Sequence, residues 1–178
     1  MIKLILADMD GTLLPFGSRV ISERTHQAIL SALDAGISFG PASGRDYVNL
    51  ADAFLDDVRC FSTGIMANGK KVFSGGELVF KKTFGAESLA KLEGVVRPHA
   101  GSSLWLVTDA DETGTRCEQF VCGIEPDDEF ALRVIKESGR DMTPGEVPAG
   151  RTVTTAGIYV NIDAAPMELV RSQCKEAC

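Results

Sequence analysis

The chain has 178 residues, 44% of them hydrophobic and 24% charged, which is enough to bury one core or two small ones. A net charge of −7 and an isoelectric point near 4.9 argue against a nucleic-acid-binding protein, which needs a broad basic surface. No apolar run approaches the roughly 20 residues that cross a bilayer, and no signal peptide is evident, so the sequence predicts a cytoplasmic protein that does not enter membranes.

The first predicted elements are a strand and a helix. Residues 2–7 form a nearly continuous apolar run, which is typical of a parallel strand covered on both faces. Residues 22–35 carry apolar side chains at helical spacing, with Ser22 as the N-cap and Gly36 as the stop signal. The sequence therefore predicts an amphipathic helix after the first strand.

The next segments repeat this order. Residues 37–42 predict a second strand with Pro41 near its end, residues 46–57 a helix, and residues 60–67 a third strand. The pair Asn68-Gly69 then indicates a two-residue hairpin turn. Strand, helix, strand, helix, strand with short connections predicts a right-handed parallel α/β unit through about residue 80.

Beyond residue 82 the pattern becomes that of an α+β module. The predicted elements are a helix at 87–97, strands at 103–108 and 117–122, a helix at 127–137, a loop rich in proline and glycine at 143–150, a strand at 156–162 and a last helix from about Ala165, with Pro166 in its first turn. The chain is thus divided into residues 1–81 and residues 82–178.

Five cysteines, an odd number without a secretion signal, predict reduced thiols rather than a disulfide framework. The pairs Cys117/Cys122 and Cys174/Cys178 could in principle offer sulfur to zinc. We favour core or surface thiols, because neither pair has compact C-x2-C spacing or a nearby histidine.

The first motif with chemical meaning is the string DMDGTLL at residues 8–14, which follows the first strand. Open α/β sheets bind ligands at the carboxyl ends of their strands. There, one carboxylate can attack phosphorus, and a second carboxylate two residues away can protonate the leaving oxygen and later activate water. Two clustered acids also need a hard divalent cation, above all Mg²⁺, to balance their charge.

A second motif, Ser43-Gly44-Arg45, ends the second strand. A hydroxyl and unsatisfied N–H groups at the start of the predicted helix would form a site for an anion. Arg45 could reach a phosphate or pair with a neighbouring acid, and the sequence does not distinguish the two. Asn68 could orient the loop, or its role could be limited to forming the tight turn in which it lies; we favour the second role.

The two motifs in this order resemble the haloacid dehalogenase-like (HAD) hydrolases, and the Met66-Ala67-Asn68-Gly69 turn resembles their Cof-like sugar-phosphatase branch. The resemblance implies an α/β fold, with a HAD-like (Rossmannoid) parallel-sheet core in residues 1–81, incomplete at its end, and an inserted α+β cap in residues 82–178. It also implies a Mg²⁺-dependent phosphatase acting on a small phosphorylated metabolite through an aspartyl-phosphate.

The resemblance implies the roles of individual residues as well. Asp8 is the nucleophile and a metal ligand, and Asp10 is the general acid/base with its carbonyl on the metal. Met9 and Gly44 offer backbone amides to the phosphate. Ser43 and Arg45 are assigned to phosphate binding, and Asn68 to substrate binding.

Two departures from the family pattern accompany this resemblance. The family's lysine that neutralises the phospho-intermediate and its distal Gly-Asp pair have no match here, because Lys175 lies in the terminal helix and Gly139-Arg140-Asp141 lies in the cap region. The expectation is therefore a chain that ends before the catalytic site is complete, with an open first strand that promotes association. The sequence leaves oligomeric state open.

The sequence leaves three alternatives to the phosphatase. A phosphomutase of the same fold is poorly separated by sequence. A dehalogenase is disfavoured, because halide departure needs no proton and hence no Asp10. A catalytically incomplete module that only binds a partner is favoured by the missing lysine and opposed by the set of Asp8, Asp10 and Ser43.

Overall fold

The computed structural model describes residues 1–99, 101–122, 129–161 and 167–177. The chain packs as two compact units. The first unit comprises Met1–Lys82 and Asp111–Cys117, and the second comprises Thr83–Ala110 and Glu118–Cys178. The assignment of residues 1–81 to a core and 82–178 to a cap stays a prediction. Among the helices of the described ranges, none is long and apolar enough to cross a membrane.

A five-stranded sheet organises the first unit. The strands run in the order β1-β2-β3-β4-β5, with β1, β2 and β3 parallel and the last two antiparallel to their neighbours. The α/β class predicted from the sequence is confirmed. The bounds are β1 (Leu4–Asp8), α1 (Glu23–Asp34), β2 (Ser38–Ala42), β3 (Gly64–Met66), β4 (Lys71–Ser74) and β5 (Glu77–Lys81).

The first predicted helix is confirmed, with its signals at both ends. The Ser22 side chain accepts a hydrogen bond from the Thr25 amide at 3.1 Å, as an N-cap should. Gly36 has a φ of 76°, the left-handed conformation that ends helices. Ile29 is buried, and Leu30 and Leu33 pack against the same core, so α1 places its apolar face on the first unit.

The predicted helix at 46–57 is wrong, and so is most of the predicted strand at 60–67. Two short 3-10 helices, Tyr47–Asn49 and Asp52–Phe54, occupy the first segment. A third, Val58–Cys60, reaches the start of the predicted strand, which shrinks to β3. The backbone shows where the predicted helix is lost, because Leu55 and Asp56 have positive φ (57° and 60°), a conformation outside the right-handed helical region. The carboxylates of Asp46 and Asp57 accept hydrogen bonds from the amides of Tyr47 and Arg59 and cap two separate short turns.

The hairpin predicted at Asn68-Gly69 is present, with a longer loop than expected. Met66 pairs with Lys71 across β3 and β4, so four residues connect the strands rather than two. A second hairpin was missed, at Gly75-Gly76 between β4 and β5. Two adjacent glycines between apolar runs were the sequence signal for it, and both have positive φ (60° and 89°).

Strand β1 lies at one end of the sheet and is not covered on both faces, contrary to the sequence prediction. Leu4, Ile5 and Leu6 are 48%, 37% and 39% exposed. Among the described strands β1 pairs with β2 alone, from Leu4 opposite Ser38 to Asp8 opposite Ala42. One backbone edge and part of the apolar surface of β1 therefore face solvent.

The second unit is built on a four-stranded sheet in the order β8-β7-β6-β9. Strands β6 and β9 are antiparallel, whereas β7 and β8 are parallel. Strand β8 lies in the segment predicted as a loop, 143–150. The bounds are α2 (Ala86–Val96), β6 (Ser102–Asp109), β7 (Cys117–Cys122), α3 (Glu129–Ser138), β8 (Thr143–Pro144), β9 (Val153–Val160) and α4 (Met167–Ala177).

Pairs of strands lie between the helices along this unit, as the sequence predicted in general, and an apolar core joins helices and strands. Leu92 and Val96 of α2 pack with Leu104 and Leu106 of β6 and with Phe120 of β7. The predicted starts of the last two helices, near residue 127 and at 165–166, lie outside the described residues, as do Ile162 and Cys178.

Candidate active site

The two aspartates of the first motif are held by a hooked loop that follows β1. The Leu13 amide donates to the Asp8 carbonyl at 3.2 Å, and the Leu14 amide donates to the Met9 carbonyl at 2.8 Å. Met9 is fully buried, whereas Asp8 and Asp10 are exposed. The buried Met9 side chain thus holds the loop against the core, and the carboxylates of Asp8 and Asp10 face solvent.

Gly11 makes this loop possible. Its φ of 85° lies in the left-handed region, and a Cβ there would lie 3.1 Å from the Phe16 ring. Its amide donates to the Leu14 carbonyl at 2.8 Å and closes the hook. A glycine at this position is therefore favoured by the backbone conformation, whereas the exposed Phe16 ring could move aside for a Cβ.

The second motif lies beside the first because β1 and β2 are parallel neighbours. Asp8 pairs with Ala42, so Ser43 begins where the adjacent strand ends. The Ser43 amide donates to the Ile65 carbonyl at 2.8 Å, and its hydroxyl accepts from the Arg45 amide at 3.1 Å. The hydroxyl proton can still be donated to an anion, since a hydroxyl both accepts and donates.

One sequence argument for an anion site at Ser43 fails. It required a helix that begins after Gly44, and the structure has a single 3-10 turn, Tyr47–Asn49, whose first amide is bonded by the Asp46 carboxylate. A turn of three residues supplies little helix dipole. An anion would therefore depend on the Ser43 hydroxyl, on nearby amides and on Arg45.

The turn at Asn68 contacts the second motif directly. The Asn68 amide donates to the Ser43 carbonyl at 3.2 Å, and the Ala67 amide donates to the Arg45 carbonyl at 2.9 Å. A Cβ on Gly44 would lie 2.9 Å from the Asn68 side-chain oxygen, so the two residues are in close contact. Asn68 has a φ of 56°, as its tight turn requires, and it also supports the loop 43–45.

Arg45 joins the two motifs. Its guanidinium donates from Nη2 to Oδ1 of Asp10 at 2.8 Å, and the two side chains are 30% and 65% exposed. The sequence left open whether Arg45 reaches a phosphate or pairs with a neighbouring acid, and in the structure it pairs with the acid Asp10. The pair brings a cation within reach of any group bound between the loops.

The donor set fits Mg²⁺. Asp8 offers an exposed carboxylate, and Mg²⁺ is commonly held by one or two carboxylates together with water and substrate phosphate. The family resemblance implies the Asp10 backbone carbonyl as a second ligand, and the Asp10 carboxylate is bonded by Arg45 instead.

Sequence reasoning missed two groups in the first unit. Lys71 is fully buried and donates to Asp46, and His26 hydrogen bonds Asp57 at 3.1 Å. Neither has a local sequence signal, because the partners are 25 and 31 positions apart. Cys117 and Cys122, weighed as zinc ligands, lie at the two ends of β7.

Comparison with protein families gives one match. The family model described as haloacid dehalogenase-like hydrolase matches residues 5–137, which is more than half of the chain. No curated protein matches the chain.

Solved structures show the same fold. A phosphatase of the haloalkanoate enzyme superfamily from Bacteroides thetaiotaomicron matches with 22% identity and a TM-score of 0.59, over 83% of this chain and 50% of that chain. A HAD subclass IIB sugar phosphatase matches with 20% identity and a TM-score of 0.63, over 96% and 63%. A protein described as a HAD/COF-like hydrolase from Plasmodium vivax matches with 19% identity and a TM-score of 0.64, over 98% and 61%. The chain thus spans between half and two thirds of the length of these structures.

Proposed function

The chain belongs to the haloacid dehalogenase-like hydrolases, and from that premise we propose that its first unit is the nucleophile-bearing part of a Mg²⁺-dependent phosphatase for small phosphate monoesters. The observation that carries the proposal is the pair of exposed carboxylates, Asp8 and Asp10, at the carboxyl end of a parallel strand beside Ser43. Strand ends of this kind are where α/β sheets bind ligands. The COF-like and sugar-phosphatase neighbours support a sugar phosphate or similar metabolite as substrate.

In the proposed reaction, a carboxylate oxygen of Asp8 attacks phosphorus while the bond from phosphorus to the ester oxygen breaks. Asp10 gives a proton to the departing oxygen, so the alcohol leaves neutral and an aspartyl-phosphate remains on Asp8. Asp10 then takes a proton from water as the water oxygen attacks phosphorus. The bond from phosphorus to the Asp8 oxygen breaks, so inorganic phosphate leaves and the Asp8 carboxylate is restored. A bound Mg²⁺ would neutralise phosphoryl oxygens during both steps.

The remaining residues bind and orient the phosphoryl group. The Ser43 hydroxyl and the amides of Met9 and Gly44 are its proposed hydrogen-bond donors. Arg45 is the nearest cation to Asp10, and we propose that it turns from Asp10 to the phosphoryl group when substrate binds. Asn68 acts through its contact with Gly44, as support for the loop rather than as a direct ligand.

The test is phosphate release from a panel of small phosphate monoesters, with and without Mg²⁺. Asp8→Asn, Asp10→Asn and a matched control, Asp52→Asn, are assayed beside the unaltered chain. Asp52 begins the 3-10 helix Asp52–Phe54 and belongs to neither motif. We expect Mg²⁺-dependent turnover that Asp8→Asn reduces below about one per cent and that Asp52→Asn leaves unchanged.

The assay is repeated on the longest chain that the gene encodes. Turnover by that form alone supports the proposal and shows that residues beyond the present sequence complete the site. Absence of turnover from both forms favours the binding module. Phosphate transfer between two positions of a sugar, without release, favours the phosphomutase.

A further inference from the structure

Three side chains of different chemistry converge at one place in the first unit. His26 comes from α1, Asp57 precedes the 3-10 helix Val58–Cys60, and Cys60 ends that helix. A nitrogen, an oxygen and a sulfur of these residues all lie within 4.8 Å of one another. In the described part of the chain, no other group of three or more such ligands was found.

We propose that His26, Asp57 and Cys60 bind one zinc ion. Zinc lies about 2.0–2.2 Å from nitrogen and oxygen ligands and about 2.3 Å from sulfur, which at tetrahedral angles places the ligand atoms about 3.5 Å apart. The His26 Nε2 to Asp57 Oδ2 distance is already 3.1 Å, and the other separations do not exceed 4.8 Å. Side-chain movements of about 1 Å would therefore bring all three ligand atoms to the spacing that one zinc ion needs.

The chemistry of the three ligands favours zinc over the Mg²⁺ proposed for the catalytic loops. Imidazole and thiolate are ligands for zinc and similar transition metals, whereas Mg²⁺ takes oxygen ligands in octahedral geometry. The two sites also use different parts of the fold, since Asp8 and Asp10 follow β1. Zinc takes four ligands, and the protein supplies three of them here. Because the side chains of His26 and Asp57 are 13% and 15% exposed, solvent reaches the site, and a water molecule is the fourth ligand.

Arg59 gives this site a feature that can be tested. Its Nη2 lies 2.6 Å from Oδ2 of Asp57, the oxygen that faces His26, so the guanidinium competes with a metal for that oxygen. Its Nε and its backbone amide bond the other oxygen, Oδ1, at 2.9 and 3.2 Å. The bond from the backbone amide would orient the carboxylate after zinc displaces the guanidinium, as hydrogen bonds to metal ligands commonly do, and it does not depend on the Arg59 side chain.

The experiment titrates the metal-free 178-residue chain with Co²⁺ and then Zn²⁺. A bound thiolate gives Co²⁺ a sulfur charge-transfer band in the near ultraviolet, and tetrahedral geometry gives it intense visible bands. We expect one Co²⁺ per chain, displaced by one Zn²⁺ and not by excess Mg²⁺. His26→Gln and Cys60→Ser should weaken Zn²⁺ binding at least tenfold, and Cys60→Ser should remove the charge-transfer band. Cys174→Ser, which alters a thiol in the second unit, should change neither.

Arg59→Ala separates a metal site from an ordinary capped turn. Loss of the competing cation should tighten Zn²⁺ binding severalfold, an effect that a merely structural histidine and aspartate would not show. Because Cys60 is fully buried, circular dichroism of each metal-free variant checks that it is folded, and His26→Gln tests the site if Cys60→Ser does not fold. The proposal is overturned if Co²⁺ shows no thiolate band, or if Zn²⁺ binds His26→Gln as tightly as the unaltered chain.

Discussion

Lys71, a fully buried cation, donates from Nζ to both carboxylate oxygens of Asp46, at 2.9 and 3.0 Å. The same ammonium donates to the Gly114 carbonyl at 3.1 Å, so it also joins the segment 111–117 to β4. A lysine is almost never fully buried unless it is paired. The pair therefore determines whether β4 and the 3-10 turn after Asp46 can pack together.

Removing one member of this pair should destabilise the first unit more than removing both. Lys71→Met leaves the Asp46 carboxylate buried without its cation, and we expect a loss of about 3–5 kcal/mol in the free energy of unfolding. The double variant Lys71→Met/Asp46→Leu buries no charge at this place and should recover much of that loss. Urea unfolding followed by circular dichroism measures both. A single variant that loses less than about 1 kcal/mol would contradict a buried pair.

Two serines of α1 should respond oppositely to replacement by alanine. Ser22 caps the helix, and Ser22→Ala should cost about 1 kcal/mol, because the Thr25 amide loses its acceptor. Ser31, inside the same helix, donates to the Gln27 carbonyl, and Ser31→Ala should stabilise by up to about 0.5 kcal/mol, since alanine is the better helix former. Equal effects of the two substitutions in urea unfolding would refute the capping role.

The contrast between α1 and the segment 46–60 shows what the sequence could predict. The signals of α1 are all local: an N-cap, helical spacing and a glycine stop. Residues 46–57 carry similar apolar spacing, but Asp46 and Asp57 cap separate 3-10 turns, and Leu55 and Asp56 between them have positive φ. Periodicity does not show which of two local hydrogen-bonding patterns is the more stable.

The candidate site likewise has residues that local sequence patterns predicted and contacts that those patterns did not predict. Asp8, Asp10 and Ser43 were placed at strand ends from local patterns, and their strands are neighbours in the sheet. The contact of Arg45 with Asp10 joins residues 35 positions apart, and the sequence left its two alternatives open. The cluster of His26 with Asp57 arises from packing across 31 positions and has no motif to find it.

Gly44 should be sensitive to a single added methyl group. In Gly44→Ala the new Cβ would lie 2.9 Å from the side-chain oxygen of Asn68, which is exposed and would have to rotate away, and we expect a loss of about 1 kcal/mol in stability together with weaker phosphate binding. Asn68→Gly removes the obstructing side chain and tolerates the positive φ of the turn. The double variant Gly44→Ala/Asn68→Gly should therefore regain the lost stability, and a double-mutant cycle in urea measures the coupling.

Gly94 supplies a control for that experiment. It lies inside α2, and an added Cβ meets no atom within 4 Å. Gly94→Ala should raise stability by about 0.5–1 kcal/mol, because alanine favours the helix. A loss at Gly94 equal to that at Gly44 would mean that the close contact with Asn68 is not the cause.

The open edge of β1 should make the chain associate. Leu4 is 48% exposed on a strand that pairs on one side among the described strands, and such edges recruit further strands. We expect the apparent mass in size-exclusion chromatography with light scattering to rise with concentration, and Leu4→Lys to reduce that rise. Leu132→Lys, at an equally exposed position on α3, should have no such effect. A monomer of constant mass at all concentrations would contradict the prediction.

Arg45 allows the two roles of its guanidinium to be separated kinetically. If Arg45 turns to the phosphoryl group of bound substrate, Arg45→Ala loses a charge-assisted hydrogen bond of about 1.5–3 kcal/mol, and KM should rise about tenfold or more. If it serves only to hold Asp10, the observed 2.8 Å contact is lost, and kcat should fall while KM is unchanged. We expect the rise in KM, and steady-state kinetics of the form that turns over measures both constants. Arg24→Ala, which removes an exposed arginine on α1 of the same unit, is the matched control and should alter neither.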